Sequence, residues 1–266
     1  MIWRIVRKDE GRTAEAEVPK LDFQAVILAG GLGTRMRPLT EKIPKPMIAV
    51  GDEPFLQRQF ELLASFGLRR VLLLVAYLGE QIERHFGDGA KLGLRLAYSH
   101  EPAPLGTGGA LKNAETQLDE EFVVLNGDTY LAIDYAALIH AFRESRTAAR
   151  TDARATARTD AMIVAYDNSV GALPAPVPSN LVVASDGRVT AYRKRDSHGL
   201  THVDAGVVVL RREVLADIPS GKSCSLEEEI YPRLIAEGRM RAWVTREPFY
   251  DIGSPQGLAA LTEKLA

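Results

Sequence analysis

Disulfides, membrane spans and a surface of one charge are all missing from this chain of 266 residues. Cys224 is the only cysteine, so no intrachain disulfide forms and a reducing compartment, the cytoplasm by default, is expected. No apolar run approaches the roughly 20 residues that cross a bilayer. The stretch from Met1 to Asp22 mixes both charges and lacks the apolar centre of a signal peptide. Lys and Arg number 33 against 35 Asp and Glu, a net charge of −2 that gives no support to nucleic-acid binding. The five histidines show no metal-ligand spacing. What the chain does have is length and apolar content, 46% of its residues, enough to bury a sizeable core.

Short apolar runs alternate with helical patterns. Gln24–Gly30, Val71–Tyr77, Leu94–His100 and Phe122–Asn126 are too short for helices and are bounded by Gly, Asp or Pro, as buried strands are. Between them, Pro54–Phe66 places Leu56, Phe60 and Leu63 on one face, and Gly79–Phe86, Thr107–Leu118 and Tyr135–Ser145 follow in the same manner. This predicts an α/β fold, a mostly parallel sheet wrapped on both faces, with ligands at the carboxyl ends of the strands. Further strands at Ala161–Tyr166, Leu181–Ala184, Val189–Tyr192 and Gly206–Leu210 come with fewer helices between them, and predict an extension of the sheet with a small β-rich substrate lobe. Residues 1–22 read as an extension of unknown role and 23–266 as one domain. Within it, 146–161 repeats Ala-Arg-Thr-Asp-Ala without a large apolar residue, and reads as a solvated helical extension or disordered insertion.

The most informative stretch is Ile27–Met47, ILAGGLGTRMRPLTEKIPKPM. A glycine-rich turn after a strand brings backbone N–H groups close to a phosphate or a base. The P-loop pattern fails, because Gly33 is followed by Thr34-Arg35, and the dinucleotide fingerprint fails, because Met36 stands where the third glycine belongs. Pro44 and Pro46 stiffen the backbone about Lys45 and reduce the entropy lost in aiming it.

Gly30–Met36 with Pro38, Thr40 and Pro44–Met47 resembles the signature loop of the sugar-1-phosphate nucleotidyltransferases. Pro104–Ala110, Leu125–Asp128, Asp204–Gly206 and Tyr250–Gly253 match further motifs in the family's order, so that the resemblance runs from Phe23 to the end, outside the repeat. It implies a Rossmann-like mixed sheet with a sugar-binding lobe. It also implies attack of a sugar 1-phosphate oxygen on the α-phosphorus of a nucleoside triphosphate, giving a nucleoside-diphosphate sugar and pyrophosphate. Bringing two polyanions together is a problem of charge and alignment.

On this resemblance Arg35 and Lys45 are catalytic, Arg35 on the leaving pyrophosphate and Lys45 between the two phosphates. Leu28, Gly30, Gly31, Gly33, Thr34, Gly106, Thr107 and Asn126 hold the nucleotide, while Asp128 and Asp251 ligate Mg²⁺. Gly127, Asp204 and Gly206 meet the sugar phosphate, with Lys194, or Arg195 if the register moves by one, as its cation. Many members carry a Glu-Lys pair where this chain reads Tyr192-Arg193-Lys194-Arg195, and Asp204 stands where Asn is frequent. Ser225–Glu228 fits a capping box, which is preferred to a sugar contact by Glu228. After Asp251 only one helix, Pro255–Leu265, is expected, so that the chain carries the transfer step alone.

The glycine loop and Leu125–Thr129 look most like the D-glycero-D-manno-heptose-1-phosphate and mannose-1-phosphate guanylyltransferases. Uridylyl, thymidylyl and cytidylyl transfer stay open, as does a non-catalytic nucleotide-sugar sensor. The expected partners are the two substrates, without nucleic acid or membrane, in a monomer or homo-oligomer.

Overall fold

The computed structural model describes residues 21–151, 158–194 and 196–266, without the side chains of 147–151. In chain order the strands and helices are β1 (Leu21–Leu28), β2 (Ala49–Val50), β3 (Glu53–Pro54), α1 (Phe55–Ser65), β4 (Leu68–Val75), α2 (Gly79–Phe86), β5 (Arg95–His100) and α3 (Gly106–Asn113). There follow β6 (Glu121–Asn126), β7 (Thr129–Tyr130), α4 (Tyr135–Thr151), β8 (Ala161–Asp167), β9 (Leu181–Val183), β10 (Val189–Tyr192) and β11 (His202–Arg211). A π-helical turn, Leu226–Ile230, leads into α5 (Tyr231–Ala236), and β12 (Met240–Thr245), β13 (Tyr250–Asp251) and α6 (Pro255–Leu265) complete the chain. No helix among the described residues is long and apolar enough to cross a membrane.

Strands β5, β4, β1 and β6 lie side by side and parallel. Strand β11 runs antiparallel to β6 and to β8, and β12 joins β8 in parallel. The β9–β10 hairpin attaches at His202, which pairs with Leu181. This is the α/β, mostly parallel sheet that the alternation predicts. Successive side chains of a strand point to opposite faces, and here both faces are covered. Ala25 and Ile27 of β1 pack with Leu56, Phe60 and Leu63 of α1 and with Leu138 and Phe142 of α4. Val26 turns the other way, into a core with Leu111 of α3 and Leu234 of α5. After β1 the chain crosses to β4 on one side and later to β6 on the other, so that the carboxyl ends of β1 and β6 flank a topological switch point.

Three local expectations change. Strand β1 begins at Leu21, which pairs with Leu68, so the last two residues of the stretch 1–22 belong to the sheet. Helix α3 stops at Asn113, ahead of a single 3₁₀ turn at Glu115–Gln117. Strand β12 was not foreseen: Met240–Thr245 interleaves Arg and Thr, which hides the apolar pattern of an edge strand.

Of the reading of 146–161 as a solvated helical extension or disordered insertion, the helical extension is seen as far as Thr151, where α4 ends, but full solvation does not hold at the described ends. Arg146 pairs with Glu121 and lies over the Phe142 ring, while Thr159 and Asp160 are 3% and 0% exposed. Asp160 accepts from Arg239 Nε at 2.6 Å and pairs with Arg158 Nε at 2.8 Å, with the buried Arg211 beside it at 3.6 Å. The physical reason is the neighbour of Asp160: Ala161 opens β8, and the preceding backbone is drawn into the sheet end, where an arginine needs a carboxylate. Asp160→Ala is expected to cost about 3 kcal/mol, since it strips a counter-charge from buried Arg211. A urea-unfolding loss below about 0.5 kcal/mol would show that Glu120 and Glu213 balance the arginines alone.

Candidate active site

At the switch point β1 ends at Leu28, whose carbonyl accepts from Gly127 N at 3.0 Å. That contact explains Gly127: a Cβ there would stand 2.4 Å from Leu28 O, too close for any other residue. The chain then runs into the glycine loop. Nothing stands within 4 Å of the place where a Cβ of Gly31 would be, which leaves a bare strip of backbone facing the cleft. Thr34–Met36 forms a 3₁₀ turn, with Thr34 exposed and Arg35 extending a side chain that is 71% exposed. Three side chains hold the loop down: Thr40 Oγ1 donates to Gly33 O, Tyr77 OH to Glu41 O and Gln81 Nε2 to Lys42 O, at 2.8, 2.9 and 3.1 Å.

Lys45 is directed inward, as its flanking prolines suggest, and is 8% exposed. Its Nζ lies 2.5 Å from Asp128 Oδ2 and 3.8 Å from Asp251 Oδ1. Asp128 follows β6 directly, whereas Asp251 arrives through the antiparallel pairing of β13 with β7, which sets Asp251 opposite Thr129. Ile252 N donates to Asp128 O at 3.0 Å and locks the two loops together. Arg35 Nη2 stands 4.0 Å from Asp251 Oδ2, so two carboxylates and two cations from four segments converge. Gly253 also belongs here. A Cβ on it would fall 2.7 Å from Arg35 Nη2, Lys45 Nζ and Asp251 Oδ1 alike, while its N–H donates to Asp251 Oδ1 at 2.6 Å. The sequence carried it inside Tyr250–Gly253 with no role attached.

The second glycine loop is braced from behind. Gly108 N and Gly109 N both donate to Cys224 O, at 2.9 and 3.1 Å, and Cys224 N donates to Leu105 O. Those two amides are thereby committed to the protein, which leaves Gly106, exposed at the start of α3, as the backbone that faces outward. The Thr107 hydroxyl donates to Glu227 Oε2 at 2.8 Å and accepts from Leu226 N at 2.8 Å. Glu101 was not singled out by sequence, although it ends the approach to this loop. Its Oε2 accepts from Leu105 N at 3.0 Å, and Oε1 occupies the space that the missing Cβ of Gly30 leaves, at 2.6 Å from that position. Burial raises its pKa above the usual carboxylate value.

A small void of about 10 Å³, room for a single water, lies between Leu28, Asn126, Asp204, Gly206, Glu227 and Tyr231 on one hand and the apolar Val124, Val207, Val208 and Leu226 on the other. Leu28 and Asn126, read from the resemblance as nucleotide residues, thus share a wall with Asp204 and Gly206. Asp204 is held on every side: Oδ2 accepts from Tyr192 OH at 3.0 Å, Oδ1 from Gly206 N at 2.9 Å, and its own N–H donates to Asn180 Oδ1. Lys194 is half exposed, 4.0 Å from Glu227 Oε2, and Arg195 lies outside the described residues. Ser225 caps the π-helical turn through Glu228 N at 3.1 Å, as expected, but its own N–H goes to Glu229 Oε1 because the wider turn carries the reciprocal acid one residue further.

Burial pushes the Asp204 carboxyl up to about 6. A carboxyl raised in the folded state stabilises the fold when protonated, and that stability is lost as pH rises through about 6. Asp204→Asn keeps the neutral form at every pH, with its oxygen for Gly206 N and its amide for Tyr192 OH. Relative to the wild type its melting temperature is expected to be higher at pH 8 than the same comparison at pH 4.5, by scanning calorimetry. An equal difference at both pH values would remove Asp204 as the titrating group.

Residues 24–163 match the family described as Nucleotidyl transferase. The chain is 34% identical over 237 residues to the D-glycero-alpha-D-manno-heptose 1-phosphate guanylyltransferase of Campylobacter jejuni, covering 88% of this chain and 96% of that one. It is 33% identical over 236 residues to the mannose-1-phosphate guanylyltransferase of Mycobacterium tuberculosis, covering 87% of this chain but only 61% of that enzyme's length. Among solved structures, HddC from Yersinia pseudotuberculosis complexed with GMP-PN superposes with a TM-score of 0.74 at 30% identity, over 92% of this chain and all of that one. By motif order, sheet topology and sequence, the chain belongs to the nucleotidyl transferase family.

Proposed function

We propose that the protein transfers a guanylyl group from GTP to a heptose or mannose 1-phosphate, giving a GDP-sugar and pyrophosphate, in the cytoplasm. The observation that carries this reading is the convergence of Arg35, Lys45, Asp128 and Asp251 at the switch point. The names of the two guanylyltransferases and the GMP-PN complex favour the base and the manno configuration.

In the reaction a phosphate oxygen of the sugar 1-phosphate forms a bond to the α-phosphorus, and the bond from that phosphorus to the α,β-bridging oxygen breaks. Pyrophosphate carries the electron pair away, so that no proton transfer by a side chain is required. Lys45, held almost dry, offsets the charge of the phosphate under attack, and Arg35 reaches the leaving pyrophosphate from the exposed loop. The amides from Gly31 to Thr34 orient the triphosphate. The donor set at Asp128 and Asp251 suits Mg²⁺, a hard cation that takes one or two carboxylates and completes its shell with phosphate oxygens and water. When bound, the ion supplies further charge neutralisation on those oxygens. That the Lys45 ammonium already sits between the two carboxylates is the sign, within this structure, that they are set to share a cation.

Pyrophosphate release with five nucleoside triphosphates against mannose, heptose and glucose 1-phosphates tests the reading. GTP with a manno-configured sugar is expected to exceed every other pair at least about tenfold in kcat/KM. Equal rates with UTP would sink the guanine assignment. No turnover with any pair, alongside tight nucleotide binding, would instead indicate a sensor.

A further inference from the structure

Helix α1 turns Leu56, Phe60 and Leu63 to the core, and among them stands a polar residue, Gln59, that is only 1% exposed. A buried amide costs free energy unless its hydrogen bonds are made. Gln59 Nε2 donates to Asn126 O at 2.9 Å and to Thr129 O at 2.8 Å, while Oε1 has no partner among the described residues. Two carbonyls accept only from the NH2 end, so the side chain is placed here for its donors, at the cost of an unpaired oxygen. We infer that Gln59 is a positioning residue of the active site: its amide fixes the turn Asn126–Thr129 and so aims the Asp128 carboxylate at Lys45. This rests on the transfer reaction proposed above.

The two carbonyls stand on either side of Gly127 and Asp128, so that one planar NH2 group spans the turn and sets its width. The middle of the turn is tied elsewhere, Gly127 N to Leu28 O and Asp128 O to Ile252 N, each at 3.0 Å. Gln59 joins its two ends. It bonds to backbone, and therefore acts on the Asp128 carboxylate, 2.5 Å from Lys45 Nζ, through Asn126 and Thr129.

The same helix holds the other half of that ion pair. Phe55, the first residue of α1, donates its N–H at 2.8 Å to the carbonyl of Ile48, three residues after Lys45, and Ala49 pairs with Pro54 immediately before the helix. Phe55 and Gln59 are four residues apart and so lie on one face of the helix. A single turn of α1 thus sets the lysine and its aspartate relative to each other. A helix is a stiffer frame than a loop for such a pair, and a misplacement of about 1 Å can cost about a hundredfold in rate.

The test compares Gln59→Met, Gln59→Glu and Leu63→Ala with GTP and whichever of mannose, heptose or glucose 1-phosphate the wild type turns over fastest. Turnover and both KM values are read below the melting temperature of every variant, which calorimetry supplies. Methionine keeps the length and loses both donors. It is expected to lower kcat at least about tenfold with KM for either substrate within about twofold, because a misaimed charge is felt where negative charge develops. Glutamic acid keeps the shape and, when protonated, donates to one carbonyl, so its kcat should fall between methionine and wild type. Leu63→Ala empties a fully buried position one turn further along α1. It should lower the melting temperature at least as much as Gln59→Met and leave kcat within about twofold of wild type. If either Gln59 variant that folds keeps kcat within about twofold of wild type, or if Leu63→Ala loses as much turnover as Gln59→Met, Gln59 serves only to hold the helix in place and the inference is wrong. A wild type that turns over none of the pairs overturns the transfer reading and this inference together, an outcome distinct from an active wild type matched by its Gln59 variants.

Discussion

Lys45→Ala is expected to lower turnover at least about a hundredfold, with the fold intact, and to tighten divalent-cation binding by the nucleotide-free protein. The first effect follows from position. A preorganised charge in a water-poor site, aimed at developing negative charge, is worth about 3 kcal/mol or more, and Lys45 is 8% exposed at the centre of the cluster. The second follows from its partners. Lys45 Nζ lies 2.5 Å from Asp128 and 3.8 Å from Asp251, so that the ammonium competes with a metal ion for the same two carboxylates. Removing it leaves two acids that repel each other and welcome a divalent ion, whereas in the wild type an arriving triphosphate must first attract the lysine. Pyrophosphate release and Mn²⁺ titration calorimetry on the apo-protein read the two effects separately. A loss of turnover under about threefold would take Lys45 out of catalysis, and an unchanged Mn²⁺ affinity would refute the competition.

The carboxylates themselves carry the second large effect. Asp128→Asn and Asp251→Asn are each expected to nearly abolish turnover, because an amide of the same size keeps the packing and brings no negative charge. The double variant should be little worse than either single one, since groups acting as a unit are strongly non-additive. The geometry also separates the two. Asp128 is the nearer counter-charge of an almost buried lysine, so Asp128→Asn should lower the melting temperature more than Asp251→Asn does. Activity at varied Mg²⁺ decides the matter. Near wild-type rates for Asp251→Asn in excess metal, or losses in the single variants that simply multiply in the double, would remove Asp251 as a co-ligand.

Much of this site was legible before any coordinates. The glycine loop, Pro44-Lys45-Pro46, Asp128 and Asp251 stand in ordered motifs, and each is brought to the cleft. The reading stopped where a side chain had two plausible tasks. Ser225–Glu228 satisfied a local capping pattern, which drew attention from Glu227, the acid that accepts from Thr107 and Ser225. Thr107 matched a nucleotide motif, yet a hydroxyl bonds whichever partner the fold brings nearest, and that partner is Glu227. The repeat at 146–161 is polar by composition, but composition holds no information about Arg211 and Arg239, the partners that bury Asp160 from distant strands.

By itself the sequence determined what is local: which segments are strands, because apolar runs bounded by Gly, Asp or Pro bury on both faces, and where the backbone is bare, because glycine alone allows close approach. The parallel arrangement followed from the same alternation of strand and helix. Only the tertiary structure decided which charges meet. The pairing of β7 with β13 sets Asp251 beside Asp128, the π-helical turn carries Glu227 to Thr107, and β11 presents Asp204 to Tyr192. Hydrogen bonds and ion pairs act over a few ångströms, and residues far apart in the chain come within that range only after the whole sheet has closed around its two cores.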